Sequence, residues 1–184
     1  MASKGGFVIK QKRLAMAVTG RRPKQLLGGY NLKDGPNAIL RVLFEHLIDE
    51  ALADYEQVVC ISGMALGVDT IFALATLKAK ELHGERVKLV CAVPFTDQAS
   101  KWPEKSQRLY SAILQRSDGV VNTSGDKTYK ARYMHQRNEW MVDNCDILLA
   151  VWEGLEEGGT YECIKYAKRK GKPVYPIEAG LKRG

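Results

Sequence analysis

No apolar run in these 184 residues approaches the ~18 consecutive residues that a membrane-spanning helix needs. The run that follows the basic start, residues 1–13, is also too short for the core of a signal peptide. The four cysteines, Cys60, Cys91, Cys145 and Cys163, form no CxxC pair and no zinc-type spacing. No GK[ST] follows any glycine loop and no GxGxxG occurs, which excludes a Walker A phosphate loop and a plain dinucleotide fingerprint. No nucleophile with its base stands out, and low-complexity segments, linkers and internal repeats are absent. These absences leave a reduced, cytoplasmic, non-membrane protein as the expectation, with no metal and no cofactor called for.

What is present suits one domain. Hydrophobic residues make up 45% and charged residues 27%, a normal globular balance, and a chain of this length buries a core without staples. The net charge of +7 invites a nucleic-acid partner. Part of the excess, however, lies in Lys4, Lys10, Lys12 and Arg13 at one end and in residues 165–183 at the other. The expected layout is a basic tail over 1–13, one domain over 14–178 and a short tail over 179–184.

Along that domain, short apolar runs alternate with helix-length periodic stretches. Strands are predicted at 14–18, 58–61, 87–93, 120–121, 147–151 and 174–177. Helices are predicted at 37–55, 68–82, 103–116, 133–144 and 161–170, with Gly171 as a C-terminal cap. A βαβ series from end to end implies an α/β fold: a Rossmann-like, doubly wound, mainly parallel sheet with helices on both faces. Ligands bind beyond the carboxyl ends of such strands, so the loops there carry the functional reading.

Three of those loops contain glycine turns. Thr19-Gly20-Arg21-Arg22-Pro23 follows the first strand and offers arginine forks suited to phosphate. Ser62-Gly63-Met64-Ala65-Leu66-Gly67-Val68-Asp69 joins a strand to a helix, whose first N–H groups form a natural anion site. Asp69 also suits a plain first-turn role. Gly158-Gly159-Thr160 frees the backbone to approach a phosphate, and Thr160 can cap the helix or bond the ligand. Glu153, Glu156 and Glu157 precede it and would repel an anion unless they point away or meet a ribose hydroxyl or a metal. Arg137 and Asn138 lie on a helix, and Trp102 and Trp152 offer rings for stacking on a base or for the core. The three glycine turns should converge on a single crevice.

These residues resemble the YpsA-like branch of the SLOG superfamily, the Rossmann-like group that unites DNA-processing protein A with the Lonely Guy enzymes. The matches span about residues 15–177: Thr19-Gly20-x-Arg22-Pro23, the segment 62–69, Pro94-Phe95 with Gln98 and Trp102-Pro103, Arg137-Asn138 with Met141-Val142-Asp143, and Ala150-Val151-Trp152 with Gly158-Gly159-Thr160. One departure is Arg21, where such proteins usually carry histidine. The resemblance implies a nucleotide or nucleotide-derived ligand, held by Thr19, Gly20, Arg22, Ser62, Gly63, Met64, Gly67, Asp69, Pro94, Arg137, Asn138, Trp152, Gly158, Gly159 and Thr160. Relatives in the superfamily often pair as homodimers.

Three functions stay open. A sensor or binding module for a nucleotide-like small molecule needs no catalytic group and leads. A Lonely Guy-like phosphoribohydrolase, cleaving the N-glycosidic bond of a nucleoside monophosphate, would pair Arg137 with a glutamate. Here Cys163 stands three residues beyond Thr160 and Glu162 one position early, which turns a helical side chain by about 100°. Single-stranded nucleic-acid binding, as in DNA-processing protein A, would use the charge and the cluster of Lys127, Tyr129, Lys130, Arg132 and Tyr133.

Overall fold

A computed structural model describes residues 11–33 and 35–178. The expected tails over 1–13 and 179–184 therefore lie largely outside the described residues. Six strands, β1 (Gln11–Gly20), β2 (Tyr55–Ser62), β3 (Val87–Val93), β4 (Gly119–Asn122), β5 (Ile147–Val151) and β6 (Val174–Ile177), form one sheet. Five helices connect them: α1 (Pro36–Asp54), α2 (Val68–His83), α3 (Glu104–Arg116), α4 (Arg132–Asp143) and α5 (Gly158–Arg169). The strand order is β4-β3-β2-β1-β5-β6 and every pairing is parallel. The chain steps outward from β1 to β4, then returns past β1 to β5. That reversal makes a topological switch between β1 and β5, and it opens a crevice at their carboxyl ends.

The two faces are sorted by the period-two alternation of the strands. Leu14, Met16 and Val18 of β1, with Leu149 and Val151 of β5, pack under α1 and α2. Ala17, Leu148 and Ala150 face the other way, against Met141 and Val142 of α4 and Cys163, Ile164 and Ala167 of α5. Burial on both faces explains why β5 reads as an unbroken apolar run. On α1 the buried stripe is Leu40, Phe44, Ile48 and Leu52, one residue per turn. Phe44 meets Phe72 of α2 edge-on at 5.1 Å, and each such buried side chain contributes about 1.5–3 kcal/mol.

The differences from the sequence reading are local. β1 starts at Gln11, because its backbone pairs with β2 from Gln11↔Tyr55 onward, through residues too polar to register as an apolar run. No loop separates α1 from β2. α5 begins at Gly158, so the glycine pair and Thr160 form its first turn, where a loop was expected.

Candidate functional site

The three glycine junctions are built differently. At the end of β1, Gly20 touches the start of α2: a Cβ there would stand 2.6 Å from Val68 Cγ2. The chain then passes beneath the second junction. Gly67, at φ +102, lets the Arg21 carbonyl approach to where a Cβ would be 2.5 Å away, and that carbonyl accepts the Val68 N–H at 3.3 Å.

The second junction satisfies itself. The Ser62 hydroxyl donates to the Asp69 carbonyl at 2.8 Å and accepts the Met64 N–H at 3.1 Å. Asp69 Oδ2 accepts the Ala65 N–H at 3.2 Å. Gln98 Nε2 donates to the Met64 carbonyl at 2.9 Å. Arg137 comes in from α4: its Nη1 donates to the Gly63 carbonyl and stands 3.3 Å from Asp69 Oδ2. Gly63 leaves the space for it, since a Cβ would fall within 2.4 Å of Arg137 Cζ. Arg137 Nε donates to Asn138 Oδ1 at 2.9 Å, and Asn138 Nδ2 reaches the Gly159 carbonyl at 3.5 Å. A polar chain thus runs from the end of β2 through α4 to the start of α5.

The third junction is open. Glu157 occupies the N-cap of α5 and makes no side-chain capping bond. Gly158, at φ +77, and Gly159 are exposed. Nearby, Arg21 forms a forked pair with Glu153: Nε donates to Oε2 at 2.7 Å, and Nη2 lies 2.5 Å from Oε1. All three junctions meet at one cleft of about 280 Å³. Arg22 is exposed along it, and among the described residues no carboxylate pairs with it.

A model of the YspA SLOG family matches residues 16–179. The chain belongs to that family. It is 30% identical over 135 residues to the uncharacterized SPbeta prophage-derived protein YoqJ of Bacillus subtilis, covering 67% of this chain and 77% of that one. It is 29% identical over 157 residues to a UPF0398 protein of Bacillus cereus, covering 85% and 84%. Among solved structures it is similar to DNA processing protein A from Helicobacter pylori, described for its single-stranded DNA binding mode. The TM-score is 0.56 at 17% identity, over 91% of this chain and 68% of that one. At that identity the likeness concerns the fold alone.

Of the residues that the SLOG resemblance singled out, Thr19, Gly20, Arg22, Asp69, Arg137, Asn138, Gly158, Gly159 and Thr160 line the cleft together. Ser62, Gly63 and Met64 are fully buried behind it, and Gly67 forms the crossing with the first loop. Pro94 is buried just beyond β3. Trp152 packs partly into the core, stacks on Tyr161 at 6.1 Å and donates its indole N–H to the Leu155 carbonyl at 2.7 Å. Glu162 is exposed, 3.2 Å from Lys165, and does not line the cleft. Thr160 is not the helix cap, because it sits at the third position of α5.

Arg21, Gln25, Ala65 and Met134 also line the cleft but were absent from the expected ligand set. Met134 precedes Arg137 by one helical turn, a spacing that could have found it. The Arg21–Glu153 pair joins positions 132 apart and had no local signal. In the cluster of residues 127–133, Tyr133 is buried, Lys130 pairs with Asp126 at 2.9 Å, and Tyr129 keeps an exposed ring edge-on to Phe95.

The electrostatics follow from burial. Burial lowers the pKa of the Arg137 guanidinium below its ordinary range; Asp69 opposes that, and Arg22 repels the same charge. For Glu153, burial acts upward, but the hydrogen bond from Arg21 leaves its pKa below the usual carboxylate value. Cys163 is pushed up to about 12, chiefly by burial and against a hydrogen bond with Thr19, so it is a neutral thiol and no nucleophile. Among the described residues no group of three His, Cys, Asp or Glu is placed to hold a metal, and no helix is long and apolar enough to cross a membrane.

Proposed function

We propose that the chain binds a nucleotide or nucleotide-derived ligand in this cleft, as a sensor or binding module of the cytoplasm. The observation that carries the reading is the convergence of the first and third junctions: Arg22, with no acidic partner among the described residues, faces the same cleft as the uncapped start of α5. Backbone N–H groups at a helix start and an arginine fork are the two commonest ways to hold a phosphate. Asp69 and Glu153 carry opposing charge, but each is matched to an arginine. Family membership and position at the switch point are consistent with the same reading.

The test is a melting series with linear and cyclic nucleotides, each mixture also assayed for released base. A ligand at about 100 times its Kd adds about 2.7 kcal/mol. A shift without free base, lost in Arg22→Ala, is the expected result. No shift with any nucleotide would overturn the reading. Glycosidic hydrolysis needs a free carboxylate at the ligand; Glu162 lies outside the cleft, and the carboxylate that lines it, Asp69, is taken up by Arg137 and the Ala65 N–H. Single-stranded nucleic acid keeps one favourable observation, the exposed Tyr129 ring in a segment whose Lys127 and Arg132 are also exposed. It would appear as binding that falls steeply with salt.

A further inference from the structure

A second cavity, of about 510 Å³, lies on the other side of the loop crossing. Among the described residues none lines both it and the cleft. The wall between them is the place where Gly67 passes Arg21 and Pro23, closely enough that a Cβ on Gly67 would be 3.2 Å from Pro23 Cδ. The volume falls in the range of about 300–1,000 Å³ typical of small-molecule sites.

The lining combines two features. Leu66, Leu74, Trp102 and Leu109 give it an apolar body. Trp102 is fixed there: its ring meets Tyr110 edge-on at 5.4 Å, its backbone N–H donates to the Ala99 carbonyl at 2.9 Å, and its backbone carbonyl accepts from Gln107 Nε2 at 2.8 Å. Three cations, Lys33, Arg41 and Lys105, share the lining, and among the described residues no carboxylate does. Arg41 has Glu45 at 3.4 Å, whereas the amines of Lys33 and Lys105 have no acidic partner among the described residues. Lys33 and Lys105 are exposed, so an acidic group seated against the apolar wall would meet two amines with no acidic partner among the described residues.

We infer that this cavity is a second ligand site, built for an organic anion with a flat, ring-sized apolar body. The body packs on Trp102 and Leu74, and Lys33 and Lys105 meet the acidic group. The inference does not depend on the nucleotide reading of the cleft, because it rests on different residues.

Anilinonaphthalene sulfonate is a fluorescent probe of that class. Titrated into the folded protein, it should bind at one site with rising fluorescence, and more weakly as salt is added. Lys33→Glu with Lys105→Glu should weaken it by about tenfold or more, because two attractions become repulsions. Leu74→Trp, which fills the hollow, should abolish binding, and Arg22→Ala should leave it unchanged. Should Leu74→Trp fail to fold, the paired charge reversals decide alone. Full binding in the charge-reversed protein, or equal loss in Arg22→Ala, would overturn the inference.

Discussion

The β2–α2 and β5–α5 junctions look alike as sequence, each a strand that runs through glycines into a helix, yet they do opposite things. In the first, side chains of the same segment take up the backbone groups: Ser62 serves Met64, and Asp69 serves Ala65. Neither helix has a side-chain cap, but in the second junction Gly158 and Gly159 face solvent, whereas Gly63 and Gly67 of the first are buried. A glycine-rich turn is therefore not a ligand loop by composition. What decides is whether its N–H groups already have acceptors. The first junction is a scaffold clamped by Arg137, and the second is the one at which the proposed ligand would meet exposed backbone.

The clamp should give the largest effect. Arg137→Ala leaves the Asp69 carboxylate buried without its cation, which costs about 3–5 kcal/mol. In a domain of this size that is on the order of 10 °C in Tm, measured by thermal or urea unfolding. Gly63→Ala should fall in the same range, since the new methyl would displace the same guanidinium from within 2.4 Å. Gly67→Ala comes next, at about 2 kcal/mol or more, because φ is +102 and a backbone carbonyl blocks the Cβ. If Arg137→Ala melted with the wild type, the junction would be no clamp and the contrast with β5–α5 would collapse.

Much of this fold was legible. Apolar runs of two to seven residues set against stripes of period 3.6 located the six strands and five helices, because the central strands are buried against helices. The ends were less legible: polar residues at 11–13 and at 55–57 join the sheet through backbone bonds that carry no side-chain signal. The convergence of the glycine turns was also readable, as it follows from strand polarity. Which turn is saturated was not. That depends on Arg137 reaching Gly63 from 74 positions away, and on Glu153 reaching Arg21 from 132. Glu162 shows the same limit, since two positions beyond the cleft residue Thr160 the side chain already faces solvent and pairs with Lys165.

At the open junction the expected effects are smaller on stability and specific to binding. Arg22→Ala should unfold within about 0.5 kcal/mol of the wild type, as it is exposed and has no ion-pair partner among the described residues. Its nucleotide affinity should fall about tenfold or more, as expected on losing a charge-assisted contact. Gly159→Ala meets nothing within 4 Å and should fold with equal or slightly greater stability. If its methyl nevertheless weakens nucleotide binding, the ligand sits against that stretch of backbone. Unchanged binding in both variants would move the ligand away from the α5 start.

The smallest effect is the most diagnostic for the cleft's charge. Glu153 is part exposed, so its pair with Arg21 contributes about 1 kcal/mol or less. Its folded pKa is depressed below the ordinary 4.5. The stabilisation is therefore complete above that value and fades as pH falls through the lower, folded one. Unfolding midpoints from about pH 6 down to about pH 3 should converge for wild type and Glu153→Gln at the acid end. At neutral pH the same variant releases Arg21 as a second unpaired guanidinium beside Gly158. If Glu153 acts only as the internal counter-charge, Glu153→Gln should bind nucleotide several-fold more tightly while folding slightly less stably. If the carboxylate itself accepts a ligand hydroxyl, binding should weaken instead. The sign of that one change separates a cleft that holds its anion against an internal competitor from one that uses both charges on the ligand.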